Sequence, residues 1–212
     1  MPSQRLLVIA SMCPDHGSLV DIGSDHGLLI QLLLRQGFSS ALFASELSQD
    51  SLQHLKHQLV DLPVKVYQAN GLDRLPKEVA TIVITGMGGQ LIQSILDAGQ
   101  TQLQEVKTLI LGPQRDQEAL RSWLMKHDWQ IIDERFVFED LKGYPIMKVI
   151  KGNMQLNPIE LSYGQINIQR CELDFVAWLK LESQSLKKAL SFQDDEQKRR
   201  RLEWIETYVK HN

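Results

Sequence analysis

Acidic side chains and glycines are interleaved in the run VDIGSDHGLLI, residues 20–30, where Asp21, Gly23, Ser24, Asp25, His26 and Gly27 follow one another closely. Apolar residues precede this cluster and a leucine-rich run follows it, so the stretch predicts a strand, a tight turn and a helix. Glycine in such a turn lets a ligand come close to the backbone, with the helix N–H groups facing it. A dinucleotide site would read G-x-G-x-x-G, with a pyrophosphate on the helix N-terminus. Here Gly23 is followed by Ser24 and Asp25, and a carboxylate beside a pyrophosphate is repelled by about 1 kcal/mol or more at an effective dielectric of about 20. S-adenosyl-L-methionine carries a sulfonium and an ammonium and no phosphate, so the same acids attract it. The turn suits a cationic cofactor.

The next strand ends compose the rest of a cleft. ALFASE finishes at Glu46, where an acid can accept both hydroxyls of a ribose, and Leu47 follows it. VKVYQA runs into Asn70 and Gly71, a polar, open turn at the same sheet edge where an adenine ring could lie. Taken singly, Asp25 could cap a helix, Glu46 could be a solvated strand end, and Asn70-Gly71 could be only a turn. Three polar features at three successive strand ends favour a ligand cleft. A fourth strand ends in TGMGGQLI, with Gly86, Gly88 and Gly89 around Met87. Either close approach of a flat acceptor or tight loop packing would call for glycine there. Candidate cofactor contacts are therefore Asp21, Gly23, Ser24, Asp25, Gly27, Glu46, Leu47, Asn70, Gly71, Gly86 and Met87. His54 and His57 lie one helical turn apart with no third ligand nearby, so no metal site is expected.

Strands and helices alternate along the chain to position these residues. SQRLLVIASMC is a short packed helix, SLVDI a strand, HGLLIQLLLRQG a helix, ALFASE a strand and QDSLQHLKHQL a helix. VKVYQA and ATIVITG are strands, GQLIQSILDAG a helix, KTLILG a strand and DQEALRSWLMKH a helix. The aliphatic runs TIVIT and TLIL read as strands buried on both faces, and the alternation predicts a parallel, doubly wound sheet. WQIIDERFVFED, the turn LKGY and PIMKVIKG then form an antiparallel hairpin closing the sheet. The α/β pattern resembles that of the Rossmann-like methyltransferase class, over residues 1–152. KGNMQLNP is a linker by composition, and residues 153–212 predict a helical hairpin or short coiled coil, with Leu173, Val176, Leu179 and Leu186 on its apolar stripe.

The 212 residues carry a formal net charge of −3, so no whole-chain field draws the protein to nucleic acid or anionic lipid. A polyanion would need a local basic patch, and the densest is Lys198, Arg199, Arg200 and Arg201 with Lys187 and Lys188. A solvated helix face explains the same residues, since acids flank them. The two cysteines, Cys13 and Cys171, lie far apart and read as reduced structural thiols. No signal-peptide pattern and no run of about 20 apolar residues occurs, which predicts a soluble, cytoplasmic protein.

DIGSDHG, ANGL, GMGG followed by LI, and LILGP before the LRSWL helix together resemble the TrmK family of bacterial tRNA (adenine-22-N1) methyltransferases. The similarity runs through residues 5–150 and, more loosely, into the helical tail. It implies S-adenosyl-L-methionine contacts from Asp21, Gly23, Asp25, Gly27, Glu46, Asn70 and Gly71, an acceptor bordered by Gly86–Gly89, and tRNA as partner to a monomer or weak homodimer. It also implies methyl transfer to N1 of an adenine; that chemistry needs the base unpaired, with Met87 a candidate apolar shelf, Gln114 a candidate for the adenine edge, and Asp25 and His26 candidates for accepting the proton that leaves. Two departures stand out: Gly112, Pro113 and Gln114 replace the family's usual LQPN, and GLLI replaces an aromatic and a proline after DIGSDH. From the residues alone, another RNA, a protein or a small molecule remains open as acceptor, as does an inert RNA-binding protein of this fold.

Overall fold

The computed structural model describes residues 2–211. Five strands run parallel: β1 (Leu19–Ile22), β2 (Leu42–Glu46), β3 (Val64–Gln68), β4 (Thr81–Thr85) and β5 (Thr108–Gly112). Two more, β6 (Trp129–Glu139) and β7 (Lys142–Lys151), form an antiparallel hairpin whose second strand pairs with β5. The order across the sheet is β3-β2-β1-β4-β5-β7-β6. The chain therefore winds outward from β1 in both directions, and the connections reverse between β1 and β4. In sheets of this kind the carboxyl ends of the strands at that reversal form the natural ligand crevice.

Helices cover both faces because the central strands are apolar on both. On one side lie α1 (Gln4–Met12), α2 (Leu28–Arg35) and α3 (Gln49–Gln58), whose Ile9, Ile30, Leu33 and Leu55 pack on Leu19, Leu42, Val83 and Ile110. On the other, α4 (Gly89–Ala98) and α5 (Gln117–Lys126) bring Ile92, Leu96, Leu120 and Leu124 onto Val20, Ile82, Ile84 and Leu109. The hairpin turn is shorter than LKGY suggests. Lys142, Gly143 and Tyr144 belong to β7, and only Asp140 and Leu141 turn, both in the left-handed region at φ 51° and 60°. That pairing is the backbone signature of a tight type I′ turn, here without glycine.

Beyond β7 come two short helices that composition did not separate, α6 (Pro158–Tyr163) and α7 (Gln165–Arg170). Asn157 caps the first, accepting from the Ile159 and Glu160 backbone N–H groups while Glu160 bonds back to the Asn157 N–H. The expected helical hairpin follows as α8 (Leu173–Phe192) and α9 (Glu196–His211). Of the predicted stripe, Leu179 and Leu186 are buried and Val176 is half-buried. Leu173 opens α8 at 88% exposure, and Phe175, Leu179 and Leu186 carry the buried contacts.

The tail is tied to the sheet. Phe136 of β6 sits in one apolar cluster with Tyr163, Phe175, Leu179 and Ile205, its ring 5.3 Å from Phe175 and 4.8 Å from Trp178. The buried Arg121 of α5 donates from Nε and Nη2 to Glu134 Oε1 of β6 (3.1 and 2.7 Å) and from Nη1 to the Leu161 and Ser162 carbonyls. Asp174 of α8 accepts from the Phe138 backbone N–H (3.1 Å) on the outermost strand, and from Gln4 Nε2 of α1 (3.3 Å). Among the described residues no helix is long and apolar enough to cross a membrane.

Candidate active site

The turn after β1 is built by backbone bonds that sequence spacing alone does not show. The Gly23 and Ser24 N–H groups donate to the Ser45 carbonyl (3.0 and 3.2 Å), so the turn folds over the end of β2. Gly23, Asp25 and Gly27 all adopt positive φ, at 68°, 53° and 66°. A Cβ at Gly27 would lie 2.7 Å from Leu59 Cδ2, and one at Gly23 would overlap the terminal methyl of Met87. Helix α2 starts at Leu28, two residues later than the pattern from His26 suggests, because Gly27 is left-handed.

Three acids converge there. Asp21 is buried, its Oδ2 accepting from Ser24 Oγ (2.6 Å). Burial, opposed by that hydrogen bond and reinforced by the Glu46 charge, pushes its carboxyl up to about 6. Glu46 Oε1 accepts from the Asp25 backbone N–H (2.6 Å), joining the end of β2 to the turn. The Asp25 side chain is exposed, its Oδ2 3.6 Å from His26 Nε2. His26 Nδ1 lies 2.9 Å from His54 Nε2. That pair was not legible in the sequence, because 28 residues separate the two histidines and nothing in either local pattern links them. A buried carboxyl left uncomfortable as an anion, beside a glycine surface, fits a cationic ligand.

On the β3 side, the Asn70 N–H donates to Asp73 Oδ1 (3.1 Å) and Gly71 turns at φ 60°. Gln68 Nε2 holds the Leu47 carbonyl (2.9 Å), leaving the Leu47 side chain 63% exposed at the rim. On the β4 side, two loops are stitched together. The Gly86 N–H donates to the Gly112 carbonyl, Gln114 N–H to Met87, and Gly89 N–H to Arg115 (3.3, 2.9 and 2.8 Å). The glycines of GMGG thus divide their work. A Cβ on Gly89 would overlap the Asp116 carbonyl oxygen, a packing requirement, whereas Gly86 at φ 78° has open space, with Gln114 Nε2 4.0 Å from where a Cβ would stand. Gly89→Ala is accordingly expected to cost about 1–3 kcal/mol by overpacking, and Gly86→Ala about 1–2 kcal/mol through its backbone alone. Urea unfolding of the two variants measures both.

Residues 2–147 match the family model for a methyltransferase domain. The tRNA (adenine(22)-N(1))-methyltransferase of Bacillus subtilis (strain 168) is 33% identical over 171 residues, 77% of this chain and 72% of that protein. This chain belongs to the TrmK family. Among solved structures, Streptococcus pneumoniae Sp1610 in complex with S-adenosyl-L-methionine superposes with TM-score 0.91 at 30% identity, covering 99% of this chain and 100% of that one. The B. subtilis m1A22 tRNA methyltransferase TrmK superposes with TM-score 0.81 at 26% identity, covering 100% and 98%.

The TrmK-family fold gathers the predicted cofactor residues at one edge: Asp21, Gly23, Ser24, Asp25, Gly27, Glu46, Leu47, Asn70 and Gly71 lie at or just past the carboxyl ends of β1, β2 and β3, and Gly86 and Met87 past β4. Met87 bridges the reversal by resting on Gly23. The tail cations are arranged differently from a free patch. Lys187 pairs with Glu206 (2.7 Å), Lys198 with Asp195 (3.0 Å), Arg199 with Asp194 and Arg200 with Glu196. Arg201 is half-buried: its Nη2 donates to Glu182 (2.7 Å) and its Nε to the Tyr163 hydroxyl (2.9 Å) at the tail cluster. Most of these cations thus face neighbouring carboxylates on the tail surface. Lys188 alone of the six enters no ion pair among the described residues.

Proposed function

We propose that the chain transfers a methyl group from S-adenosyl-L-methionine to N1 of an adenine in tRNA, with the carboxyl edge of β1–β4 as its active site. The observation that carries this reading is the buried acid Asp21, held by Ser24 and set beside Glu46 and the Gly23 turn, across the sheet reversal from the open Gly86. When bound, the cofactor supplies an electrophilic methyl on a positively charged sulfur. Asp21 and Asp25 supply the negative field for that charge, Glu46 accepts the ribose hydroxyls, and Leu47, Asn70 and Gly71 border the adenine of the cofactor. Ser24 fixes the Asp21 carboxylate by hydrogen bond.

Adenine N1 carries an in-plane lone pair, so no base has to act before the bond forms, and alignment does most of the work. Gly86 and Met87 form the surface against which the acceptor base rests, and Gln114, stitched to the Met87 carbonyl, offers its amide to the base edge. The methylated base is cationic. His26, held between Asp25 and His54, stands at the rim as the group able to take a proton from it. A tRNA substrate implies a cytoplasmic protein. We read residues 1–152 as the catalytic unit and 153–212 as its helical appendage.

Incubation with labelled S-adenosyl-L-methionine and an unmodified tRNA transcript, followed by nucleoside analysis, tests this. 1-Methyladenosine is the expected product, and adenine 22 is the first position to map, because the B. subtilis relative is a tRNA (adenine(22)-N(1))-methyltransferase. Label recovered in another nucleoside, or none, would sink the assignment.

A further inference from the structure

Between α1 and α2 a cavity of about 400 Å³ opens at the carboxyl edge of the sheet, lined in part by Arg5, Leu28, Gln31, Arg35 and Thr85. Its size lies in the range of sites for small ligands, about 300–1,000 Å³, enough for one nucleotide and too small for a length of helix. Thr85 ends β4 and leads into Gly86, and Leu28 opens α2 directly after Gly27. The mouth therefore adjoins the loop after β4, while Glu46 lies on the far side of β1. A ligand in this cavity would approach from the side opposite the ribose end of the cofactor site. Leu28 is 54% exposed and presents an apolar surface there.

The charges around the cavity differ from those of the tail. Arg5 holds its guanidinium carbon 4.7 Å above the Tyr144 ring. Tyr144 precedes by three residues the Met147 that pairs with Leu111, so it stands past the carboxyl end of β5 and beside the same edge. Neither Arg5 nor Arg35 enters an ion pair among the described residues, whereas five of the six tail cations do. A paired guanidinium must release its carboxylate before it can bind a phosphate. An unpaired one need not, and stacking on an aromatic ring leaves its N–H edge free.

We infer that the target nucleotide of the tRNA enters through this groove toward the Gly86–Met87 surface, with Leu28 an apolar contact at its mouth and Arg5 and Arg35 on the phosphates that flank it. Tyr144 positions the Arg5 guanidinium. This rests on the tRNA reading above and adds where the acceptor enters and which cations hold it.

The test uses the full chain, an unmodified tRNA transcript and S-adenosyl-L-methionine, with Arg5→Gln, Arg35→Gln, the double variant, and Arg199→Gln/Arg200→Gln for comparison. The double variant is expected to raise the KM for tRNA at least tenfold. Its salt dependence of tRNA binding should flatten by about 0.7–0.9 for each phosphate no longer neutralised. Cofactor affinity by titration calorimetry should stay unchanged, which also shows that the variants are folded. The tail pair should leave the salt slope alone. If Arg5→Gln disturbs the fold, the exposed Arg35→Gln carries the measurement by itself. An unaltered KM and slope, with the wild-type chain methylating tRNA, would overturn the groove and leave the activity standing. No methyladenosine from the wild-type chain would overturn both.

Discussion

Asp21→Asn is expected to stabilise the free protein at neutral pH and, in the same variant, to weaken cofactor binding at least tenfold. In the folded chain the Asp21 carboxyl titrates at about 6, against an ordinary value of 3.8, because burial penalises the anion. A group raised in this way favours the folded state fully below its unfolded pKa, and that contribution is lost as pH rises through the folded value. Above about pH 6 the ionised Asp21 therefore costs the free chain about 3 kcal/mol. Asparagine removes the charge and keeps an oxygen for the Ser24 hydroxyl. Urea unfolding should show a higher midpoint for the variant at neutral pH and a flatter profile between about pH 4 and pH 6. Calorimetric titration with S-adenosyl-L-methionine should show the weaker binding. Loss of stability together with full affinity would mean that the carboxylate serves packing and not the ligand.

Arg121→Met carries the second large effect. The guanidinium donates twice to Glu134 and twice to the carbonyls that end α6, and both side chains are about 1% exposed. Removing it leaves a carboxylate buried without its cation, which costs about 3–5 kcal/mol. Burial already holds the Glu134 carboxyl above its usual range despite Arg121, and without Arg121 it rises further. The loss should thus be greatest at neutral and alkaline pH and shrink as acid supplies the proton. Urea midpoints measured across that range follow it, and Arg121→Met/Glu134→Leu should recover most of the stability at neutral pH. Similar losses at every pH would point to the carbonyl bonds of α6, and not the charge, as the main contribution.

The sheet was legible because its central strands are aliphatic on both faces and its helices end in glycine or caps, so period and punctuation agree. The strand ends were legible for the same reason: once β1, β2 and β3 are placed, Asp21, Glu46 and Asn70 fall on one edge. What local patterns could not carry are contacts across long separations. Gly89 faces Asp116, His26 meets His54, and Arg121 reaches Glu134 and α6, and none of these pairs shares a repeat or motif. In the helical tail only Leu173 fell outside the expected apolar stripe, because it satisfies helical spacing yet sits exposed on the first turn, while Leu179 and Leu186 are buried. The ion pairs of the KRRR run were not legible either, since a count of cations does not show which carboxylates lie beside them.

The bond from the Phe138 amide to Asp174 bears on how the edge of the sheet is covered. A mostly parallel sheet that ends in a long hairpin leaves its outermost strand with hydrogen-bonding groups that could recruit a neighbouring chain and seed aggregates. Here a side chain from the appendage occupies one such donor and aromatic rings cover the strand beside it. The C-terminal helices thereby cover part of that edge, a contribution that asks for a snug fit to the sheet more than for positive charge.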